Sequence, residues 1–418
     1  MGNHHRSAAP PFARLLIAVL AAFALTVALA APAGAHGRAH AYGHGHGKPA
    51  AHAHHQHHQH GAPGHGHHRQ GKPITVMTRN LYLGGDITRP LAALGAPPDR
   101  QAEVFVAANS TLRAIVDQTN FPLRAKQLAR EVQQRQPDLI GLQEVALWRH
   151  GPLDGSEATT VDYDFLQILQ DELAARGQQY HVAHVQPESD VAGPALLDGS
   201  LQNIRLTMRD VVLERVHNGV HVTSATGANY ATRIPLTIAG QTLEFIRGYN
   251  AVDVKAGGQQ LRFINTHLES QLSDVAYAQA QELLAGPAAA NGIPTILVCD
   301  CNSDPLDTSV KPGETHAHQD PYLLITGSGF TDEWLQFAPA EAGFTSGLSE
   351  LVNDTPEEAA ARFDHRIDMV FGRRADGSAM PVKHAWVTGK DPNERTPATP
   401  IGRLWPSDHA GVVVELRP

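Results

Sequence analysis

The stretch Thr295 to Pro305, TILVCDCNSDP, holds both cysteines of the chain, Cys299 and Cys301, around one aspartate, with an asparagine directly after. Three chemistries fit such a stretch: a thiolate metal site, a redox pair, or an acidic hydrolase site with cysteines beside it. A zinc–thiolate site needs more nitrogen and sulfur ligands than two cysteines one residue apart supply. On a strand, Cys299 and Cys301 share one face while Asp300 and Asn302 share the other. The expectation is therefore that the cysteines point into the core as small apolar fillers. An oxidised Cys-x-Cys link ranks second, because so tight a ring is strained. The chemistry then belongs to Asp300 and Asn302. The same pattern, a polar residue at or just after the end of an apolar run, recurs at Asn80, Glu144, His267, Asp368, Asp408 and His409. Each has an ordinary reading when taken alone. Asn80 caps a turn, Glu144 is a surface acid, Asp368 pairs with neighbouring Arg366, and His267 is a satisfied histidine. The functional reading rests on the ordered set, since functional groups of α/β sheets gather where strands end and loops begin.

The elements that must position this set read as short apolar strands alternating with helices. ITVMTRNLYL is a strand from Ile74 that ends in a polar turn at Gly84-Gly85-Asp86. A helix bounded by Pro122 and Pro137 carries Ala125, Leu128, Ala129 and Val132 on one face, and DLIGLQEV after it is a buried strand. YDFLQILQDELAARG is a second amphipathic helix with a stop at Gly177. Strand-rich stretches follow through QQLRFINTHLES, and then a helix, SDVAYAQAQELLAG, with Ser273 as its N-cap. GSGFTDEW is read as a loop. HRIDMVFGRR, KHAWVTG and SDHAGVVVELRP close the chain. No repeat and no second linker interrupts residues 73 to 418, which read as one domain.

The residues before that domain are of two kinds. Arg6 and Arg14 precede LLIAVLAAFALTVALAA, and Ala33-Gly34-Ala35 follows as a small-x-small site. This predicts a secretory signal peptide over residues 1–35 and a secreted, extracellular protein. No cysteine stands at the cleavage site, so no lipid anchor is expected. Residues 36–72 are His, Gly, Ala and Gln with almost no bulky apolar side chain, and this composition predicts a disordered leader. Thirteen of the 26 histidines fall between His36 and His68, a density that predicts loose binding of Zn, Ni or Cu ions. A net charge of −9 gives no support for a large basic surface that tracks a polyanion.

In order, MTRNLYLG, PDLIGLQEV, FINTHLES, LVCDCNSDP, RIDMVF and PSDHAGVVVEL resemble the motifs of the endonuclease/exonuclease/phosphatase superfamily. Pancreatic-type deoxyribonuclease, abasic-site endonucleases, sphingomyelinases and inositol polyphosphate phosphatases are among its members. The likeness spans residues 74 to 417, with six short motifs in register. It implies an α/β fold, a four-layer sandwich of two packed mixed β-sheets flanked by helices, as in pancreatic deoxyribonuclease. It also implies a phosphoester hydrolase that uses a hard divalent cation, Mg²⁺ or else Mn²⁺ or Ca²⁺. Glu144 matches the principal metal carboxylate, Asn80 its neighbouring amide and Asp408 a further metal-side ligand. His409 matches the imidazole that acts as base or transition-state stabiliser, and Asp368 the carboxylate that fixes it. Asp300 matches the residue that orients or deprotonates the attacking water, Asn302 an amide on a phosphate oxygen, and His267 a phosphate-contacting histidine. Whether Asp300 or His409 takes the proton stays open.

The family's Gly-Asp-Phe-Asn appears here as Cys299-Asp300-Cys301-Asn302. A mid-domain tyrosine or histidine of some branches has no match between Gln186 and Asn250, and no role falls to Tyr82 or Asp86. Three substrate classes follow: nucleic acid, a lipid headgroup, or a small organic phosphate. The basic residues are scattered and only four tryptophans exist, whereas a nuclease wants a basic groove with stacking aromatics. The loop Leu147 to Gly155 with Trp148 is the candidate lipid-inserting element. No stable protein partner is implied, and a monomer is expected. The non-enzymatic reading is a secreted metal-binding protein that works through its histidine tract.

Overall fold

In the computed structural model of the chain, residues 73–238, 241–290 and 292–418 are described. The expected signal peptide and the histidine-rich leader lie outside the described residues. The strands are β1 (Ile74–Asn80), β2 (Leu139–Gln143), β3 (Leu147–Gly151), β4 (Thr160–Asp164), β5 (Tyr180–Leu197), β6 (Ser200–Arg215), β7 (Val220–Asn229), β8 (Ile234–Ile238) and β9 (Gln241–Phe245). They continue with β10 (Gly248–Ala256), β11 (Gln259–His267), β12 (Thr295–Asp300), β13 (Thr331–Asp332), β14 (Asp368–Arg373), β15 (Val382–Thr388), β16 (Ala398–Thr399), β17 (Gly402–Arg403) and β18 (Gly411–Leu416). The helices are α1 (Gln101–Gln118), α2 (Phe121–Arg135), α3 (Phe165–Ala175), α4 (Ser273–Ala285), α5 (Asp320–Gly327), α6 (Glu333–Phe337) and α7 (Pro356–Arg362). None of them is long and apolar enough to cross a membrane.

The strands build two mixed sheets. The first runs β15-β18-β1-β2-β6-β3-β4, with β5 also on β6, and the second runs β13-β14-β12-β11-β10-β7. Each contains one parallel pair, β1 with β2 and β11 with β12. Strand alternation sorts the side chains into layers. Val76, Leu139, Val412 and Val414 of the first sheet meet Val252, Phe263, Ile296, Val298 and Val370 of the second. On the far side of the first sheet, Met77, Ile140, Leu142 and Val413 meet Leu112, Leu128 and Leu169 of α1 to α3. On the far side of the second, Ile264, Leu297, Cys299 and Phe371 meet Ala276, Ala280, Leu283 and Ile325 of α4 and α5. This is the four-layer sandwich expected from the sequence.

Several local expectations change. Leu272, not Ser273, occupies the N-cap of α4, with no side-chain cap bond; Ser273 is the first helical residue and its Oγ is without a partner. GSGFTDEW is not a loop. It closes α5, forms β13 and opens α6, where Asp332 caps the helix by accepting from the Trp334 and Leu335 amides. The supposed lipid-inserting loop is largely β3. Trp148 faces the core at 1% exposure and donates Nε1–H to the Leu83 carbonyl at 2.9 Å. A Trp so buried and so bonded does not enter a headgroup layer.

The two sheets come closest at Gly141. A Cβ there would stand 2.4 Å from Val298 Cγ2 and 2.6 Å from Asn265 Oδ1. Asn265 is the centre of a polar seam. It accepts from Gln143 Nε2 at 2.6 Å and donates to the Leu142 carbonyl at 3.0 Å and to Asn250 Oδ1 at 3.1 Å. Gly141→Ala is expected to cost about 1–3 kcal/mol of stability through overpacking. A urea midpoint unchanged in this variant would show that the seam is not tight.

Candidate active site

All eight residues singled out in the sequence come together at one end of the sandwich. Glu144, His267, Asp300, Asn302, Asp408 and His409 line a single cleft, with Asn80 and Asp368 buried beneath it. The first sheet supplies Asn80 at the end of β1, Glu144 just after β2, and Asp408 and His409 just before β18. The second supplies His267 at the end of β11, Asp300 at the end of β12 and Asp368 at the start of β14. Parallel pairing aligns these ends: Asn80 lies beside Gln143, and His267 beside Asp300. Antiparallel pairing sets Asp300 against Asp368.

Two side-chain contacts between the expected site residues cross from sheet to sheet. Asn80 Nδ2 donates to Asp300 Oδ2 at 2.9 Å, and His409 Nδ1 lies 2.8 Å from Asp368 Oδ2. Asp368 is therefore not the partner of Arg366, which pairs with Asp332 at 2.6 Å instead. Asp300 Oδ1 accepts the Asn302 amide at 3.1 Å, and His267 Nε2 stands 3.5 Å from Asp300 Oδ2. His409 is held by its backbone. Arg79, itself ion-paired with Glu131, donates Nη1–H to the His409 carbonyl at 2.6 Å, and Ser407 Oγ accepts the His409 amide at 3.2 Å. The Asp368 amide donates to Thr345 Oγ1 at 3.1 Å.

The backbone at the cleft is strained. Tyr82, Glu144 and Asn302 adopt left-handed angles, with φ of 58°, 54° and 44°. Such angles in residues other than glycine cost energy and cluster at functional sites. At Glu144 the turn leaves Oε2 to accept the Leu83 amide at 2.8 Å. At Asn302 it swings the residue off the strand, and Nδ2 donates to the Leu268 carbonyl at 2.9 Å. The simple alternation expected for residues 299–302 thus stops at Asp300. Cys299 and Cys301 do lie in the core of the second sheet, but as a disulfide rather than as free fillers. Their link closes a small ring around Asp300.

Electrostatics separate the two histidines. Burial drives the His267 pKa well below the ordinary histidine value, and Arg247 and His409 push it further. Burial opposes charge on His409 as well. There Asp368, Asp408 and Asp300 together outweigh it and raise the pKa well above the ordinary value. Burial, then the neighbouring Asp368, pushes the Asp300 carboxyl up to about 7. Asp408 is pushed up to about 6 by burial and, in part, by Glu144.

Arg247 was missed in the sequence and fills the mid-domain gap. It is buried, lines the cleft and donates Nη1–H to His267 Nδ1 at 2.8 Å. Placement just past β9 is the signal that finds it, since it is a polar residue at a strand end like the others. Glu269, two residues past His267, also lines the cleft, its Oε2 without a hydrogen bond and 3.8 Å from Arg247 Nε. Glu188 of β5 and Asp210 of β6 lie buried nearby, and none of their four carboxylate oxygens has a hydrogen-bond partner. With His267 they offer ligand atoms within 4.8 Å of one another, as do Asp300, Asp368 and His409. The cleft lining proper carries Asp86, Glu144, Glu269, Asp300, Glu350 and Asp408 against Arg247, His267 and His409. The acids dominate. Glu144 and Asp408, mutually repelling carboxylates on the cleft wall, are hard oxygen donors of the kind a divalent cation takes, whereas Asn80 is buried with Oδ1 accepting the Tyr82 amide at 2.8 Å.

Burial pushes the Glu188 carboxyl up to about 8 from its ordinary 4.5, against the pull of Arg247. Within this window the folded protein holds a proton that the unfolded chain has released, so Glu188's contribution to stability falls as pH rises. With EDTA present, Glu188→Gln is expected to melt close to wild type near the bottom of the window and above it near the top. A difference in melting temperature that does not widen with pH would contradict this.

The chain is similar to several solved structures, endonuclease/exonuclease/phosphatase proteins among them. One is the endonuclease/exonuclease/phosphatase from Beutenbergia cavernae, at 21% identity, covering 84% of this chain and 72% of that one, with a TM-score of 0.46. A second is an endonuclease/exonuclease/phosphatase family protein from Bacteroides thetaiotaomicron, at 17% identity over 83% and 98% of the two chains, with a TM-score of 0.47. A third is a mannosyl-6-phosphatase from Bacteroides thetaiotaomicron, at 18% identity over 82% and 99%, with a TM-score of 0.46. No family model matches the sequence. No curated protein matches it either. With likenesses this distant, function has to be argued from the cleft itself.

Proposed function

We propose that this chain is a secreted, divalent-metal-dependent phosphoester hydrolase of the endonuclease/exonuclease/phosphatase superfamily. The observation that carries the reading is the pair of contacts Asn80–Asp300 and His409–Asp368, made between two sheets at the rim of one acidic cleft. Secretion is supported by the charged, apolar and small-residue pattern of residues 1–35.

Glu144 and Asp408 would hold the cation, Mg²⁺ by the hardness of these oxygens, and it would supply charge for the phosphate. The remaining steps belong to the chain's own residues. Arg247 keeps His267 Nδ1 occupied, so the ring's remaining proton sits on Nε2, on the Asp300 side. Together they give the cleft floor a cation and a fixed donor for a non-bridging phosphate oxygen. Asn302, with Nδ2 tied to Leu268, sets the edge of that pocket. Asp368 orients the His409 ring through Nδ1 and stabilises its charged form. The proton of the attacking water passes to the Asp300–His409 set, whose members interact too strongly to titrate singly. A nucleic-acid backbone fits poorly. Six carboxylates line the cleft and only Arg247 is a fixed cation there, whereas strand binding needs a basic track.

Hydrolysis of a chromogenic phosphodiester with and without Mg²⁺ tests the assignment. His409→Ala and Asp300→Ala are each expected to lower turnover by about 10²-fold or more with the fold intact by circular dichroism. Wild-type rates in either variant would refute the roles given. Glu144→Gln is expected to raise the Mg²⁺ concentration needed for half-maximal rate. Absence of turnover with any divalent ion would sink the hydrolase reading and favour the histidine-tract, metal-binding one.

A further inference from the structure

We infer that the substrate carries a hydrocarbon ester group, which lies in an apolar groove beside the cleft. The inference rests on the phosphoester reading above and specifies its substrate class. The groove runs between α1, β5 and the 3₁₀ turn Arg89–Gly95, with Phe105 and Leu112 on one wall, Val191 to Gly193 on the other, and Trp148 with Leu206 at its base. Ile87 and Phe245 line both the groove and the catalytic cleft, so the two adjoin. The cleft turns apolar on the same side, where Leu83 and Met208 join them.

Three observations select the occupant. No charged residue lines the groove. Its side-chain donors are already engaged, Asn109 Nδ2 with the Pro194 carbonyl at 3.2 Å and Trp148 Nε1 with the Leu83 carbonyl at 2.9 Å, and Asn109 Oδ1 is the one other polar side-chain atom of the lining. A sugar or base, with several donors and acceptors, would lose its water there and regain few bonds, which is costly, whereas a methylene gains from burial. Finally, the only fixed cation of the cleft, Arg247, sits beside His267. The site is thus built for one phosphate with an apolar neighbour, not for a run of phosphates. The ligand chemistry is an alkyl or aryl phosphoester.

The test is a series of p-nitrophenyl alkyl phosphates, methyl through hexyl, hydrolysed by the full chain with Mg²⁺. kcat/KM is expected to rise about threefold to fourfold per methylene and then level off as the chain outgrows the groove. Val191→Trp, on the face of β5 that packs toward Leu206 and α1, places an indole in the groove and is expected to flatten the series; the slope is the readout. A benzyl ester run beside the hexyl ester distinguishes an aryl from an alkyl occupant, and a gain over methyl for either supports the groove. A flat wild-type series with measurable methyl-ester turnover would overturn the inference and leave the hydrolase reading standing. An unchanged slope in folded Val191→Trp would place the apolar group elsewhere. Lack of turnover across the whole series would overturn both.

Discussion

Everything at the cleft depends on two sheets meeting at one edge with their strand ends in register. Neither sheet alone holds a working set. The first contributes Asn80, Glu144, Asp408 and His409; the second contributes His267, Asp300 and Asp368. The bonds that join them at the site, Asn80 to Asp300 and His409 to Asp368, are side-chain contacts of under 3 Å between residues 220 and 41 positions apart. Contacts that short require the sheets to be spaced accurately beneath them. The close approach at Gly141 and the amide ladder through Gln143, Asn265 and Asn250 provide that spacing. Buried amides with their bonds satisfied specify one register where a purely apolar seam would tolerate slippage.

Charge is the second constraint. The cleft and its floor hold many more carboxylates than cations, and Glu188 and Asp210 lie buried with no partner on any oxygen. Burial of unpaired charge is expensive, so such groups hold protons or face a cation. Arg247 is the local compensation. It is fully enclosed and yet stays charged, because Glu269, Glu188, Glu144 and Asp210 surround it and outweigh the burial that opposes its charge. The acids that look excessive around His267 are thus what keep a guanidinium charged at the cleft floor. Around His409, Asp368, Asp408 and Asp300 likewise outweigh burial and raise the imidazole pKa well above its ordinary value.

Strand-end chemistry was readable in the sequence because it follows from periodicity. An apolar run bounded by a carboxylate, amide or imidazole places that group at the end of a sheet whatever the tertiary detail. Five of the eight residues end or follow their strands, whereas Asp368 opens β14 and Asp408 and His409 precede β18, and all eight converge. The layers were readable for the same reason. What was hidden depends on partners distant in the chain. Asp210 lies inside β6 rather than at its end, so alternation marks it only as a buried position. Arg247 looked like one of many scattered basic residues until β9 was seen to end two residues before it. Trp148 was taken for a surface element because its indole N–H partner, the Leu83 carbonyl, lies 65 positions away. Ser273 has the right chemistry for a cap, but the chain enters α4 one residue earlier.

The opening Cys-Asp-Cys stretch shows how the site and the fold share one device. Period-two alternation places Cys299 toward the helices and Asp300 toward the seam, and this much holds. Continued alternation would also turn Asn302 to Asp300's face as an extended strand residue. Instead β12 ends at Asp300, Asn302 turns left-handed, and its amide bends back to Asp300 Oδ1. The disulfide fixes Cys301 close to Cys299 across that turn, while the Cys301 amide donates to the Ile367 carbonyl at 2.8 Å, just before Asp368. A covalent ring on the core side thus backs a carboxylate that accepts two hydrogen bonds on the cleft side, from Asn80 Nδ2 and the Asn302 amide. The cysteines bind no substrate and no metal. They hold the corner where Asp300 must stand still while Asn80, Asn302 and Asp368 converge on it.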